Sequence, residues 1–313
     1  MDYFLIGCPY TKMKHLRRAF ETNSYPDISI INIENIGKID KKFIYLKNTN
    51  IKVKLSDIKS CHIRYPYDLI PPLTATFKRR EETEFIKTIC LLFDEVSVNS
   101  FTASWVFRNR AFSLLTAEKY DCKIADFEII KEDKYSKIKS LKAIKALGNC
   151  FVSEDLKPTK TLFSKYIEIA QDGEDVAVIF PASKFDNKML SEYIKVNGIA
   201  FIQNIVNSIN EYRTYIIGKN IFIYKRGKHD SFDKSPAEYI KSDYKCSETT
   251  EVGLKNMMSD YNLNYLCFDM IVNSDGSEFI IDINPFGGLP NFEVFPEPSM
   301  ALFNLMLKSV YSD

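Results

Sequence analysis

The chain has 313 residues, of which 45% are apolar, so it can bury a sizeable core and is neither disordered nor fibrous. The 42 Lys and Arg residues against 41 Asp and Glu residues leave a formal net charge of +1, which excludes a global field that would recruit nucleic acid or an anionic membrane. The 7 scattered cysteines, without a CxxC pair or a nearby histidine at zinc-ligand spacing, argue against a disulfide scaffold and a structural zinc site.

The N-terminus does not resemble a secretion signal. Asp2 stands where a signal peptide needs a basic residue, and the apolar run that follows is too short. Apolar stretches elsewhere fall well below the roughly 18 residues of a membrane span. We therefore expect a cytoplasmic protein with reduced thiols and with neither a membrane nor a nucleic acid as partner.

Short apolar runs alternate with a helical segment at the start of the chain. Residues 3–6 and 28–33 fit strands, and 14–21 fits a helix between them. This βαβ rhythm predicts a small α/β lobe built on a mainly parallel sheet. Two further runs at 43–46 and 51–53 predict a hairpin.

The middle of the chain combines helical and extended patterns. Helices are predicted at 81–95 and 103–119, on either side of a short run that ends near Asn99. A second, smaller lobe follows, with four strands predicted at 127–130, 142–145, 161–169 and 176–180.

Two consecutive hairpins mark a third lobe. The first joins strands at 212–217 and 221–225, and the second joins strands at 266–272 and 278–283. The elements together predict an α/β (α+β) protein. Its three parts are residues 1–108, 109–200 and 201–313.

The second hairpin carries an acid inside each of its apolar strands, Asp269 and Asp282. An unpaired charge there would be costly, so a cationic partner is expected. If Asp275-Gly276 forms a two-residue turn, Asp269 falls directly opposite Asp282. Asn284 then lies on the same face as Asp282. A four-residue turn keeps this parity, whereas a plain three-residue turn would separate the acids.

Two carboxylates and a carboxamide oxygen make an all-oxygen ligand set, which suits Mg²⁺ and not zinc or copper. The alternative is that Asp269 and Asp282 are edge-strand acids paired with Lys or Arg. The run Asn284-Pro285-Phe286-Gly287-Gly288 favours the metal site, because Pro and two glycines end the strand in a tight turn typical of a ligand-holding loop.

The second strand ends in Asp282-Ile283-Asn284-Pro285. This pattern resembles the ATP-grasp superfamily, whose C-terminal lobe ends in an acid, a hairpin and Glu-x-Asn-Pro, so Asp stands here for the usual Glu. The resemblance implies an ATP-grasp fold, with an N-terminal α/β lobe, a central lid and a C-terminal metal-binding lobe. It also implies that Asp269, Asp282 and Asn284 hold the Mg²⁺ ions that bridge the phosphates of ATP.

Upstream segments extend the resemblance. Gln203 and Ile205 match the linker that contacts adenine in the family, and Glu211-Tyr212-Arg213 matches its Glu-x-Arg. The resemblance implies that Arg213 faces the phosphate or the activated acyl group as a bidentate donor. The alternative is an ion pair between Arg213 and Glu211 or another acid on the sheet.

The family clamps the nucleotide phosphates with two cations, which by resemblance are Arg110 and Lys145. Asn109-Arg110 stands where the family has Asn-Lys before a helix, and Ile144-Lys145 resembles the strand of the second lysine. Arg110 keeps the charge of that lysine but changes its reach. The glycine-rich flap of the family is poorly represented, since Gly148 is the lone glycine nearby.

The order of segments most resembles the graspetide, or microviridin-type, peptide ligases, over residues 61–293. The segments are Ile63-Arg64-Tyr65-Pro66, Val98-Asn99-Ser100, Asn109-Arg110 and Lys123-Ile124-Ala125-Asp126. The resemblance implies a ligase that acts on a precursor peptide with a leader and a core. It would activate Asp or Glu side chains as acyl phosphates and join them to Lys, Ser or Thr side chains. The resemblance also favours a homodimer.

Two other functions stay open. One is an ATP-grasp ligase that joins a free amino acid to a peptide or a small molecule. The other is a catalytically degenerate fold that only binds nucleotide or peptide, for which Arg110, Asp282 and the glycine-poor flap are the motivation. The basic, aromatic segment at 224–229 could suggest RNA binding, but the net charge near zero favours a solvated strand end or a phosphate-side loop.

Overall fold

The computed structural model describes most of the N-terminal and C-terminal parts of the chain and short stretches between them. The described residues are 2–7, 14–23, 25, 27–63, 77–107, 109–130, 142–145, 178–180, 200–204, 206, 210–226, 239–285 and 287–311. Their strands form four sheets.

The first sheet is parallel, as the βαβ rhythm predicts. β1 (Asp2–Gly7) lies in the centre, between β2 (Ile28–Asn32) and β6 (Ile58–Ile63), and α1 (Lys14–Asn23) connects β1 to β2. The last four residues of β1 are all buried, which explains why its sequence is a continuous apolar run and not an alternating one.

A small antiparallel sheet lies between β2 and β6 in the sequence. It consists of β3 (Ile36–Ile39), β4 (Phe43–Leu46) and β5 (Lys52–Lys54), in that order. The predicted hairpin of β4 and β5 is confirmed, and β3 is an additional strand that the prediction missed.

Three helices follow: α2 (Phe77–Leu92), α3 (Phe101–Val106) and α4 (Arg110–Lys119). The prediction of one helix over 103–119 is wrong, because the chain breaks between α3 and α4. Asn109 caps the new helix, since its side chain accepts a hydrogen bond from the backbone N–H of Phe112 at 3.0 Å.

The central sheet is antiparallel, in the order β7-β10-β8-β9. Its strands are β7 (Phe127–Ile130), β8 (Lys142–Lys145), β9 (Val178–Phe180) and β10 (Ala200–Asn204). Three of the four strands predicted in the second lobe are therefore present, and the strand predicted at 161–169 lies outside the described residues.

The largest sheet is antiparallel, in the order β13-β12-β11-β14-β15. Its strands are β11 (Asn210–Ile217), β12 (Asn220–Arg226), β13 (Tyr239–Lys241), β14 (Tyr265–Val272) and β15 (Glu278–Asn284). Both predicted hairpins of the third lobe are confirmed. Two helices complete this part of the chain, α5 (Glu248–Asp260) and α6 (Glu297–Tyr311).

The two faces of this sheet belong to different cores. One face packs against α4 and α5, with Phe268 and Met270 buried there. The other face packs against α1, α6 and β1, around Phe303. Thus α4, which the predicted division assigns to residues 109–200, packs on the C-terminal sheet, and the division itself stays a prediction. No helix in the described ranges is long and apolar enough to span a membrane.

Candidate functional site

The hairpin of β14 and β15 brings the two acids opposite each other. Val272 pairs with Glu278 next to the turn, whereas Asp269 pairs with Asp282 further along, so Ile281 forms a bulge in β15. A two-residue turn at Asp275-Gly276 does not form, because the backbone N–H of Asn273 donates to the carbonyl of Ser277 and leaves three residues in the turn. The predicted pairing of the acids is confirmed, since the bulge restores the parity that an odd-length turn removes.

Asn284 lies on the same face of β15 as Asp282 and opposite Cys267. The Asp269 and Asp282 side chains, called here the acid pair, are 14% and 16% exposed, so both are shielded but still reachable by solvent. Directly opposed like charges destabilise a sheet unless neighbouring cations offset them.

Arg213 in β11 compensates Asp269, which lies opposite it on the neighbouring strand β14. Its Nε and Nη2 donate to Oδ1 and Oδ2 of Asp269, both at 2.8 Å. The guanidinium also lies 5.6 Å from the ring centre of Tyr239. Burial lowers the pKa of Arg213, but the carboxylate of Asp269 outweighs that effect and holds the pKa well above its usual value. The predicted contact with phosphate or an acyl group stays a prediction.

Arg110 compensates Asp282 from helix α4, which packs against β15. It is the first residue of α4, its side chain is 1% exposed, and its Nε donates to Oδ1 of Asp282 at 3.0 Å. A cation at a helix N-terminus is unfavourable on its own, so the carboxylate also offsets the helix dipole. The observed contact of Arg110 is therefore with a predicted metal ligand, and its predicted contact with the phosphates stays a prediction.

A further ion pair lies next to this cluster and was missed by the sequence analysis. Arg226 in β12 donates to Glu211 of β11 over 2.6 Å. The sequence could have predicted this ion pair, because a tight turn at Gly218, which has a φ of 56°, sets the register of β11 and β12.

Gln203 connects the central sheet to the bulge. Its buried side chain donates from Nε2 to the carbonyl of Ile281 at 3.2 Å, so the residue that leaves the regular ladder gains a partner. Ile205 and Gly148 lie outside the described residues. Lys145 ends β8 opposite Phe201, and its side chain lies outside the described part.

The chemistry of the donor set fits a divalent cation of the Mg²⁺ type. Each carboxylate oxygen carries lone pairs beyond those that an arginine uses, and the amide of Asn284 adds a third hard donor on the same face. Among the described residues no group of three or more His, Cys, Asp or Glu forms a metal cluster. A metal site here would therefore depend on the amide and on oxygens that a bound nucleotide brings.

No protein-family model matches the sequence, and no curated protein matches it. Solved structures do match it along nearly its whole length. The macrocyclase MdnC of Microcystis aeruginosa MRC, bound with the precursor peptide MdnA, is 15% identical, has a TM-score of 0.69, and the match covers 98% of this chain and 100% of that one.

A RiPP-associated ATP-grasp ligase of Chryseobacterium gregarium, in complex with ADP and a leader and core peptide, is 13% identical, with a TM-score of 0.65 and coverage of 98% and 97%. The ATP-grasp ligase PsnB, complexed with a phosphomimetic variant of its minimal precursor, Mg and ADP, is 12% identical, with a TM-score of 0.64 and coverage of 99% of each chain. At such identities the likeness shows the fold. The chain has the ATP-grasp fold, as the resemblance implied.

Proposed function

We propose that the protein is an ATP-dependent carboxylate ligase that closes rings on a ribosomally made precursor peptide. The observation that carries this proposal is the position of the acid pair. The two acids lie opposite each other on adjacent strands, with Asn284 on the same face, in a chain with the ATP-grasp fold. An arginine adjoins each acid, so the face offers both oxygen ligands for a metal and fixed donors for an anion.

The proposed ligands for Mg²⁺ are Asp269, Asp282 and Asn284. When bound, Mg²⁺ neutralises charge on the phosphates of ATP. Gln203 and Ile205 are proposed to contact the adenine, and Lys145 to contact the phosphates. Gln203 is supported by its place between the central sheet and β15.

In the proposed reaction an Asp or Glu carboxylate of the peptide attacks the γ-phosphorus of ATP, and ADP leaves. The acyl phosphate then reacts with a Lys amine or a Ser or Thr hydroxyl. Its phosphate leaves, the nucleophile loses a proton, and an amide or an ester forms. The protein needs no nucleophile of its own in either step, and its task is to hold the groups and stabilise charge.

The two arginines have different proposed roles. Arg213 is 25% exposed and presents a planar donor fork beside Asp269, which suits it to stabilise the oxyanion that develops on the acyl group. Arg110 is almost fully buried, so we assign it the orientation of the Asp282 carboxylate.

The proposed partner is a peptide with a leader and an acidic core. MdnC is bound with a precursor peptide and the Chryseobacterium ligase with a leader and core peptide, and this supports a peptide partner here. A homodimer and a cytoplasmic location complete the proposal.

Mass spectrometry of candidate precursor peptides co-expressed with the protein tests the function. We expect a loss of about one water per bond formed, with unchanged ring formation in Asp275→Asn, whose acid lies in the exposed turn of the same hairpin. The variant Asp282→Asn should leave the peptide linear.

Two outcomes would favour the rival functions. ADP release with free amino acids and none with any peptide would favour a small-molecule ligase. Nucleotide binding without ADP release on any substrate would favour a binding protein.

A further inference from the structure

The backbone that follows Asn284 is held by side chains from three different parts of the chain. The carbonyl of Pro285 accepts from Nδ2 of Asn99 at 3.0 Å. The carbonyl of Gly287 accepts from the hydroxyl of Tyr265 at 2.5 Å, and that of Gly288 accepts from the hydroxyl of Tyr215 at 2.8 Å.

Asn99 uses its whole hydrogen-bonding capacity in this contact. Its Nδ2 also donates to the carbonyl of Tyr265 at 2.8 Å, and its Oδ1 accepts from the backbone N–H groups of Asn264 and Tyr265, both at 2.8 Å. The side chain is buried, and an asparagine amide has two donors and two acceptor positions. A buried residue that is satisfied in this way fixes the start of β14 against the residue after Asn284.

The two tyrosines lie on the same face of the sheet as the acid pair. Tyr265 and Tyr215 are fully buried, and each hydroxyl reaches a loop carbonyl. The loop itself lies against β14, because a Cβ atom on Gly287 would stand 2.2 Å from the Cβ of Cys267. The backbone N–H of Gly287 also donates to the carbonyl of Asn284 at 3.3 Å.

We propose that Asn99, Tyr215 and Tyr265 are positioning residues for the amide of Asn284. By holding the carbonyls of Pro285, Gly287 and Gly288, they keep that amide in line with the acid pair on the same face. This inference rests on the proposed function, because it needs Asn284 to be a metal ligand. Removal of residues that orient a metal ligand typically lowers metal affinity by about 10- to 100-fold.

The test combines the double variant Tyr215→Phe/Tyr265→Phe with a matched control. Each change removes one hydroxyl and keeps the ring in the core. The control is Tyr212→Phe. Tyr212 is a buried tyrosine of β11, the strand of Tyr215, but it faces the other core and stacks on Tyr244. The variant Asn99→Asp is added because it keeps an acceptor for the two N–H groups and loses both donated hydrogen bonds.

Two readouts are measured in each protein. Hydrogen exchange of the peptide that covers residues 284–290 reports on the loop without any ligand. Calorimetry of ATP binding at increasing Mg²⁺ reports on the site. We expect exchange to accelerate about 10-fold or more in the double variant and in Asn99→Asp, and the half-saturating Mg²⁺ to rise about 10-fold. The control should behave as wild type in both.

If wild type binds ATP in a Mg²⁺-dependent way, two outcomes would overturn the inference and leave the proposed function standing. One is unchanged loop exchange in the double variant. The other is faster exchange with an unaltered Mg²⁺ requirement, which would make the contacts structural only. If wild type shows no Mg²⁺-dependent ATP binding at all, the proposed function fails, and the inference fails with it because there is no metal ligand to position.

Discussion

Two carboxylates that face each other on neighbouring strands repel, and the sequence places the compensating charges far away along the chain. Arg213 comes from the adjacent strand, and Arg110 from a helix 172 residues before Asp282. Breaking either pair leaves a shielded charge without its partner, which is more costly than the pair itself is favourable. The arginines therefore matter for both the stability of the sheet and the proposed chemistry.

Geometry, and not charge alone, should decide the role of Arg213. The variant Arg213→Lys keeps the cation but loses the two-pronged contact with Asp269. We expect ligase turnover to fall about 10- to 100-fold with little change in the midpoint of thermal unfolding, since a lysine can still pair with the acid. Arg18→Lys, at an exposed ion pair, serves as the control and should keep full turnover. Equal turnover in both variants would show that turnover does not need the bidentate contact between Arg213 and Asp269.

Glu278, a buried acid outside the acid pair, gives a prediction about pH. Partial burial raises the pKa of Glu278, but hydrogen bonds from Ser247 and Tyr244 outweigh this, so the pKa lies below its ordinary value of 4.5. The folded state therefore binds the proton more weakly than the unfolded state does. The stabilisation is complete above about pH 4.5 and is lost as the pH falls through the lower folded-state pKa.

The variant Glu278→Gln should lower the free energy of unfolding by about 1–3 kcal/mol at pH 7, because charged hydrogen bonds to the start of α5 are lost. It should also flatten the decline of stability in acid. Denaturant unfolding of both proteins at pH 7 and near pH 4 checks this. A variant with the same loss at both pH values would show that ionisation of Glu278 contributes nothing.

At the residue scale the sequence indicated which types of residue the site contains, but not which residues contact one another. Acids inside apolar strands predicted cationic compensation near Asp269 and Asp282, and that is observed. Which cations supply it depends on packing between distant segments, which no local pattern records. For the same reason Asn99 was noticed as part of a motif, while its four hydrogen bonds were not foreseen.

The bulge at Ile281 is the element-scale feature on which the acid pair depends. If Ile281 were instead paired in the ladder, the register next to the turn would continue, and Asp282 would move to the opposite face of the sheet. The carbonyl of Ile281 is also the acceptor for Gln203. Through this hydrogen bond, the bulge that sets the register of β15 is connected to the central sheet.

Insertion of one glycine between Ile281 and Asp282 should abolish ligase turnover, because it moves Asp282 by one position to the opposite face of the sheet. The matched control is deletion of Ser274, an exposed residue of the adjoining turn, which shortens the turn but leaves the strand pairing in place. Turnover and circular dichroism of both variants decide the matter. Wild-type turnover after the insertion would show that the observed register is not required.

Period-two alternation and turn residues were sufficient to predict both hairpins of the large sheet. They could not predict the bulge, because a single extra residue in a strand has no sequence signature of its own. The break before α4 did have one, since Asn109 is a good N-cap inside a helical pattern, and the family resemblance also places Asn109-Arg110 before a helix.

At the scale of the whole molecule, α6 joins the N-terminal sheet to the large sheet, because it packs against α1, β6 and β11. At the centre of this contact Phe303 is fully buried and lies 4.5 Å, centre to centre, from the ring of Phe20. The core that joins the N-terminal sheet to the site-bearing sheet is therefore built by the last helix of the chain.

Truncation of that side chain should destabilise the protein as a unit. We expect Phe303→Ala to lower the free energy of unfolding by about 3–5 kcal/mol, through lost burial and the cavity that remains. Asn304→Ala, an exposed position on the same helix, should change it by less than about 0.5 kcal/mol. Thermal and denaturant unfolding measure both, and equal effects would show that α6 is not a core helix.

At this scale the alternation of apolar patterns predicted the α/β class, and one short motif, Asp282-Ile283-Asn284-Pro285, led to the ATP-grasp fold. Sequence identity of 15% or less to the matched structures explains why so little else could be transferred residue by residue. The packing of α4 on the large sheet depends on contacts between segments far apart, and it became visible only with the structure.

The central claim is that the acid pair and Asn284 bind a divalent ion together with the phosphates of ATP. Calorimetry of ATP binding with Mg²⁺ and with a chelator tests it most directly, on wild type, Asp269→Asn, Asp282→Asn and the turn variant Asp275→Asn. We predict that the first two variants bind ATP about 10- to 100-fold more weakly than wild type in Mg²⁺ and equally in chelator, while Asp275→Asn matches wild type. Unchanged Mg²⁺-dependent binding in both acid variants, with the fold intact, would contradict the account.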